Sequence, residues 1–252
     1  MTQLGVDALG WVVLAAGALL VGLGKTAIGG VVTISVVAFA TVLPTRESTG
    51  VLLVLLMVGD AIAVWTYRRD AHLRLLSRLI APVLVGVVLG ALFLAWAPEL
   101  WVARVIGGIV VAMAAVEIVQ RLIRRSARPA APRAMSRAVG RGFGSMAGFT
   151  TMVANAGGPV MSLYLLRENL AVRGFVGTFA WFFAVVNVVK LPFSIGIGLL
   201  RPERLPLILT LVPCVVLGAI AGRILVGRIR RDVFEWVILL TALVSGIALM
   251  LR

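Results

Sequence analysis

The chain has 252 residues, 61% hydrophobic and 13% charged, with a mean hydropathy of +1.10 and a formal net charge of +14. A soluble domain carries about 25% charged and about 45–50% apolar residues, so this composition excludes an ordinary soluble fold and points to an integral membrane protein. The arginines fall between apolar runs, which is the pattern of membrane topology; the expected surroundings are a lipid bilayer, with no nucleic-acid partner.

Ten apolar segments follow along the chain. Segment 8–23 has no basic start, since the first charge is Asp7 and the first cation Lys25, so it reads as a retained membrane segment and not a cleaved signal. Segment 27–43 follows after "GKTAIGGVV", where Lys25, Thr26, Gly29 and Gly30 interrupt the apolar run. Segment 48–67 contains Asp60 in "VLLVLLMVGDAIAVW" and leads into a loop with Arg68, Arg69, Arg74 and Arg78. Segments 79–97 and 101–120 are joined by a short loop, and the cation near it is Arg104, just inside the second segment. The polar stretch "RRSARPAAPRAMSR" then reads as a basic linker, 123–138, between halves 1–122 and 139–252.

The second half opens with segments 139–153 and 156–166 in "GFTTMVANAGGPVMSLYLL", which carries Thr150, Thr151, Asn155, Gly157, Gly158 and Pro159. Segment 174–200 includes "WFFAVVNVVKLPFS" with Asn187 and Lys190, and segments 205–226 and 233–251 complete the chain. Segments one, two, six and seven are short against the roughly 20 residues of a full span. Ten spans, or eight spans plus two broken hairpins, both fit. The runs do not alternate as barrel strands would, so the expected class is an all-α polytopic transmembrane protein.

The halves resemble each other. "TAIGGVVTI" aligns with "ANAGGPVMS", Asp60 falls within one position of Asn187, and Pro82, Gly86 and Gly90 match Pro213, Gly218 and Gly222. Loop charge alternates in the opposite sense: 68–78 is rich where its partner near Arg201 and Arg204 is poor, and the loop at Arg104 is poor where Arg228 to Arg231 is rich. Matching loops therefore lie on opposite sides, the pattern of two inverted-topology repeats of about five segments each, a hallmark of secondary transporters. The positive-inside rule puts the rich loops in the cytoplasm and both termini outside.

Breaks at membrane depth survive only where protein or a water-filled cavity surrounds them. Half-helix N-termini in transporters aim free N–H groups at anionic substrates, and glycines allow close approach. Pro159 suits a first helical turn, and Asn155 is suited to cap that half-helix or to donate its amide to a ligand. The competing reading is that the glycines only let helices pack. Intramembrane Lys190 and Asp60 are expensive in lipid and so face a cavity or a partner. Asp60 either pairs with a lysine, couples a proton, or is a buried structural carboxylate. The candidate substrate-binding set is Lys25, Thr26, Gly29, Gly30, Thr150, Thr151, Asn155, Gly157, Gly158, Asn187 and Lys190, with Asp60 a candidate for coupling. Arg223 is read as snorkelling, and Trp181 as lining the pathway or packing.

One cysteine, Cys214, and one histidine, His72 in an arginine-rich loop, provide neither a disulfide nor a metal cluster. No metal or cofactor is expected, and no nucleophile–base or H-E-x-x-H pattern argues for an intramembrane enzyme.

"GFTTMVANAGGPVMSLYLL" with "FVGTFAWFFAVVNVVKLPFS", and "GLGKTAIGGVV" in the first half, resemble the sulfite exporter TauE/SafE family of membrane permeases. The resemblance spans nearly the whole chain and is strongest from Gly148 to Ser194. It implies a permease of the inner or plasma membrane for small sulfur-containing anions such as sulfite or organosulfonates. It carries Asn155, Gly157, Gly158, Asn187 and Lys190 over as pathway residues. The first half departs, with "AIGGVV" where many members show a longer glycine run leading to a proline. The functional expectation is a secondary transporter of a small sulfur oxyanion working by alternating access. The alternative is an anion channel or a permease for another small anion. A homo-oligomer is compatible with the sequence.

Overall fold

A computed structural model describes residues 6–27, 31–96, 137–168, 170–196 and 198–250, with isolated positions between 104 and 119. Gly29, Gly30 and most of the linker, 123–136, lie outside the described residues.

The elements are α1 Ala8–Thr26, α2 Val32–Val42, α3 Thr45–Tyr67, α4 Leu73–Trp96, α5 Arg137–Ala154, α6 Gly157–Arg167, α7 Val172–Gly196, a 3-10 turn Pro202–Arg204, α8 Leu205–Val226 and α9 Arg231–Met250. Among the described residues there is no strand. Asp7 starts α1 by accepting a hydrogen bond from the Gly10 N–H at 2.8 Å, which satisfies one of the free amides of a first turn. Among the described residues, five helices are long and apolar enough to cross a membrane, namely α1, α3, α4, α7 and the turn that runs into α8. The chain is a multi-pass membrane protein.

Two sequence expectations need correction. The first segment is not short, since α1 has 19 residues, and α5 has 18 and begins at Arg137, inside the expected linker. The glycines in both helices lower their apparent hydropathic length without ending the helix. The short elements are α2 and α6, 11 residues each. At 1.5 Å per residue each is about 16 Å long, roughly half the hydrocarbon thickness.

Each short helix folds back along the long helix before it. Along α1 and α2, Gly24 lies against Val32, Gly17 against Phe39 and Gly10 against Val42. Along α5 and α6, Gly157 lies against Thr151, and the rings of Phe143 and Tyr164 sit 5.9 Å apart. On either side of each break, a short helix thus doubles back on a longer one.

The long helices pair across the sequence halves. α1 runs parallel beside α8, α4 runs parallel beside α5, and α3 runs antiparallel to α7. Lipid gives little hydrophobic drive for such pairing, so close backbone contact between small residues supplies it. A Cβ at Gly22 would lie 2.6 Å from the Ala219 amide nitrogen, and one at Gly218 would lie 2.8 Å from the Leu19 carbonyl carbon. On the other pair, a Cβ at Gly86 would lie 2.8 Å from the Phe149 amide nitrogen.

Two apolar cores result. One, with Leu14, Phe39, Leu52 and Val215, joins α1, α2 and α3 to α8. The other, with Val87, Met152, Met161 and Phe179, is built mainly from α4, α5, α6 and α7. The cores do not follow the two sequence halves, because each takes one long helix from the other half. A polar clasp ties α3 to the start of α8. Glu47 Oε1 accepts from Arg201 Nη1 at 2.9 Å, and its Oε2 accepts from Arg204 Nε at 2.9 Å.

Close packing predicts a sharp contrast among glycine substitutions. Gly218→Ala should destabilise the protein by about 1–3 kcal/mol through overpacking. Gly142→Ala, whose Cβ meets nothing within 4 Å, should be neutral or stabilising by up to about 1 kcal/mol. Thermal unfolding in detergent checks both, and equal effects would contradict the backbone-contact account.

Candidate functional site

Four elements bring polar groups to one enclosed place. The C-terminal turn of α1 delivers Lys25, α3 delivers Asp60, α7 delivers Asn187 and Lys190, and the break between α5 and α6 delivers Asn155 and the Thr151 carbonyl. All six residues are buried.

Lys25 Nζ lies 2.6 Å from Asp60 Oδ1, with both side chains 2% exposed. Asn187 Nδ2 donates to Asp60 Oδ2 at 2.6 Å, so both carboxylate oxygens have a partner. The Lys25 ammonium also sits 4.5 Å from the centroid of the Phe183 ring, a favourable position for a desolvated cation. The Lys25 stem runs past Gly59, where a Cβ would come within 2.9 Å of the lysine Cγ. Asp60 thus makes the expected contact with a lysine.

Lys190 has a different environment. Its Nζ donates to the Thr151 carbonyl at 2.6 Å and to Asn155 Oδ1 at 2.5 Å. Both acceptors are uncharged, and among the described residues no carboxylate oxygen lies within ion-pairing distance of this ammonium. An ammonium has three donors, so one remains. Two lysines and one aspartate leave the cluster with a formal surplus of one positive charge.

Asn155 is the only described non-glycine residue with positive φ, at 52°. Asparagine tolerates this left-handed conformation better than most side chains. The turn ends α5, with the Asn155 N–H bonded to the Thr151 carbonyl at 3.0 Å and the Ala156 N–H to the Thr150 carbonyl at 3.2 Å. Asn155 therefore does not cap α6; the residue before α6 is Ala156, and it makes no side-chain cap. Instead the Asn155 side chain faces Lys190 and donates to the Thr49 carbonyl on α3 at 3.3 Å. Pro159 falls in the first turn of α6, where its missing N–H needs no partner.

The other candidates separate by role. The Thr26 hydroxyl reaches the Gly22 and Ala219 carbonyls at 3.0 and 2.9 Å, so it joins α1 to α8. The Thr26 carbonyl accepts from the Tyr67 hydroxyl at 3.0 Å. The Thr150 hydroxyl bonds back to the Met146 carbonyl at 2.8 Å. Gly157 packs the hairpin, since a Cβ there would lie 2.7 Å from Thr151 Cβ and 2.8 Å from the Ala147 carbonyl. Gly158 is buried beside it. The Asn187 Oδ1 atom is buried and has no hydrogen-bond partner among the described residues. Arg223 is exposed, as a snorkelling residue would be, and Trp181 lines a separate lateral cavity.

Sequence reasoning did not single out Phe183, Gly59 or Thr49. Phe183 sits four residues before Asn187, on the same helical face, so a face-by-face reading of α7 would have reached it. Thr49 contributes only a backbone carbonyl, which leaves no trace in residue type.

Asp60→Asn would leave the Lys25 ammonium buried without a counter-charge and should destabilise the protein by about 3–5 kcal/mol. The double change Lys25→Met with Asp60→Asn should recover much of that loss. A double-mutant cycle on thermal unfolding checks it, and simple additivity would mean the two groups do not interact.

The chain matches the family model described as sulfite exporter TauE/SafE over residues 14–249. No curated protein and no solved structure gave a significant match. The match runs from within α1 to near the end of α9 and includes every residue of the cluster. The chain belongs to the sulfite exporter TauE/SafE family, a family of transmembrane permeases associated with sulfite export.

Proposed function

We propose that the protein is a secondary transporter of a small sulfur-containing oxyanion, sulfite or an organosulfonate. The observation that carries this reading is Lys190: a buried ammonium held only by neutral acceptors, in a cluster with one surplus positive charge. A lone charge inside a membrane protein is costly, by about 2.5–3.5 kcal/mol on insertion scales, and is retained where it serves a pathway. A monovalent anion at Lys190 would complete its third donor and neutralise the cluster. Asp60 holds Lys25 neutral overall, which keeps the site from accumulating two uncompensated cations.

Alternating access would come from two inverted repeats rocking about this centre. The packing supports that reading. Exchanging α1 to α4 with α5 to α8 in order turns the α1–α8 pair into the α5–α4 pair and leaves the α3–α7 pair as itself. The half-length helices α2 and α6 exchange as well, and so do Asp60 and Asn187, which bond to each other. In this arrangement the arginine-rich loops lie in the cytoplasm and both termini outside. Anion flux would pass the α5–α6 break, with Asn155, Gly157 and Gly158 on one side and Asn187 and Lys190 on the other.

Sulfite uptake into proteoliposomes tests the site. Lys190→Ala removes a charge-assisted contact worth about 1.5–3 kcal/mol, so sulfite affinity should fall by roughly one to two orders of magnitude. Asn155→Ala should weaken it less. Unchanged flux and binding in both variants would overturn the assignment, and flux without saturation or counterflow would favour a channel.

A further inference from the structure

Polar contacts run from the charged cluster to one end of α3. Because α7 lies antiparallel to α3, Lys190, just under one turn beyond Asn187, is displaced toward the N-terminal end of α3. Asn155 accepts from Lys190 through Oδ1 at 2.5 Å and donates through Nδ2 to the Thr49 carbonyl at 3.3 Å. Two residues before Thr49, Glu47 is 12% exposed and takes Arg201 and Arg204 on separate oxygens, each at 2.9 Å. Beside this clasp a Cβ at Gly50 would lie 2.7 Å from the Leu199 carbonyl carbon, so α3 and the loop before α8 are in backbone contact. From Asp60 to Glu47 the file of contacts is about 20 Å long at 1.5 Å per residue. That is longer than half of the roughly 30 Å hydrocarbon layer.

The other end of α3 closes differently. A Cβ at Gly177 of α7 would lie 2.9 Å from the Tyr67 carbonyl oxygen and 3.2 Å from the Ala71 amide nitrogen. The His72 N–H donates to the Thr178 hydroxyl at 2.9 Å, and the Tyr67 hydroxyl donates to the Thr26 carbonyl at 3.0 Å. The ion pair at this end, Arg173 with Asp70, is 4.0 Å long and exposed, and such a pair contributes little. Closure here is built from backbone and buried contacts. At the Glu47 end one carboxylate holds two arginines, and a long hydrogen bond joins that end to the Lys190 site. We propose that the N-terminal end of α3 is the gate of that site, with Glu47 as its latch and Asn155 as the link through which a bound anion releases it. This gate serves the anion site proposed above at Lys190 and rests on that reading. An anion on the ammonium competes with the neutral Asn155 Oδ1 and wins, because opposite charges attract more strongly than an ion and an amide. Asn155 then loses the contact that holds its amide beside Thr49, which leaves the Glu47 clasp to hold the turn.

Hydrogen exchange of the full chain in detergent, with and without sulfite, tests this at residues 45–50 and 198–204 against residues 67–74. Sulfite should raise exchange in the first two segments and leave 67–74 unchanged. Without sulfite, Glu47→Gln should raise exchange in the same two segments about fivefold, while sulfite affinity stays within about twofold of wild type. Arg201→Gln carries the same test if Glu47→Gln does not fold. In a Cys214→Ser background, Glu47→Cys and Arg204→Cys joined by a short, cleavable bifunctional thiol reagent should stop sulfite uptake into proteoliposomes, and cleaving the link should restore it. Equal exchange changes at both ends of α3, or full uptake with the link in place, would overturn the gate; the anion site would stand if Lys190→Ala still weakens sulfite binding. Unchanged binding in Lys190→Ala would overturn the site and the gate with it.

Discussion

Lys25 and Asp60 meet at 2.6 Å between α1 and α3, almost fully enclosed, and much of the architecture follows from what this pair demands. Neither charge is tolerable alone at membrane depth. Their contact therefore requires the C-terminal turn of α1 to lie against the middle of α3. Gly59 makes room for the lysine stem, and Phe183 places the negative face of its ring beside the ammonium. Asn187 takes the second carboxylate oxygen and draws α7 onto α3. One ion pair thus specifies the meeting of three helices, the role best attested for buried ionic groups.

Lys190 extends this centre without closing it. Its two acceptors come from a helix break that exists because Asn155 accepts a left-handed backbone. Local conformation and site electrostatics are linked here: the turn that ends α5 presents a carbonyl and an amide oxygen to the same ammonium. Both are neutral. They orient the lysine without cancelling its charge, which distinguishes this half of the cluster from the fully compensated Lys25 half.

The helix pairings that surround the centre rest on a separate device. Gly22 and Gly218 bring α1 and α8 into backbone contact, and Gly86 and Gly148 do so for α4 and α5. Close approach replaces the hydrophobic drive that lipid cannot supply. Because these pairs cross the midpoint of the chain, each apolar core borrows a helix from the other sequence half, and the two halves are interlocked and not merely docked.

Residue type and order alone determined the membrane class, most of the described helix positions and the location of the break between α5 and α6. Apolar runs, loop arginines and glycine pairs are local properties, and helix formation in a membrane is itself local, since every backbone bond closes within the segment. The same reading placed Asn155, Asn187, Lys190, Lys25 and Asp60 among the residues of interest, because polar side chains in apolar runs stand out. Only the tertiary structure decided their partners: that Asp60 takes Lys25 and not Lys190, that Asn155 ends α5 and does not cap α6, and that the Thr26 and Thr150 hydroxyls serve helix backbones. These outcomes depend on helix rotation and on distances between elements far apart in the chain. A side chain's identity records that it needs a partner, and only packing decides which one comes within reach.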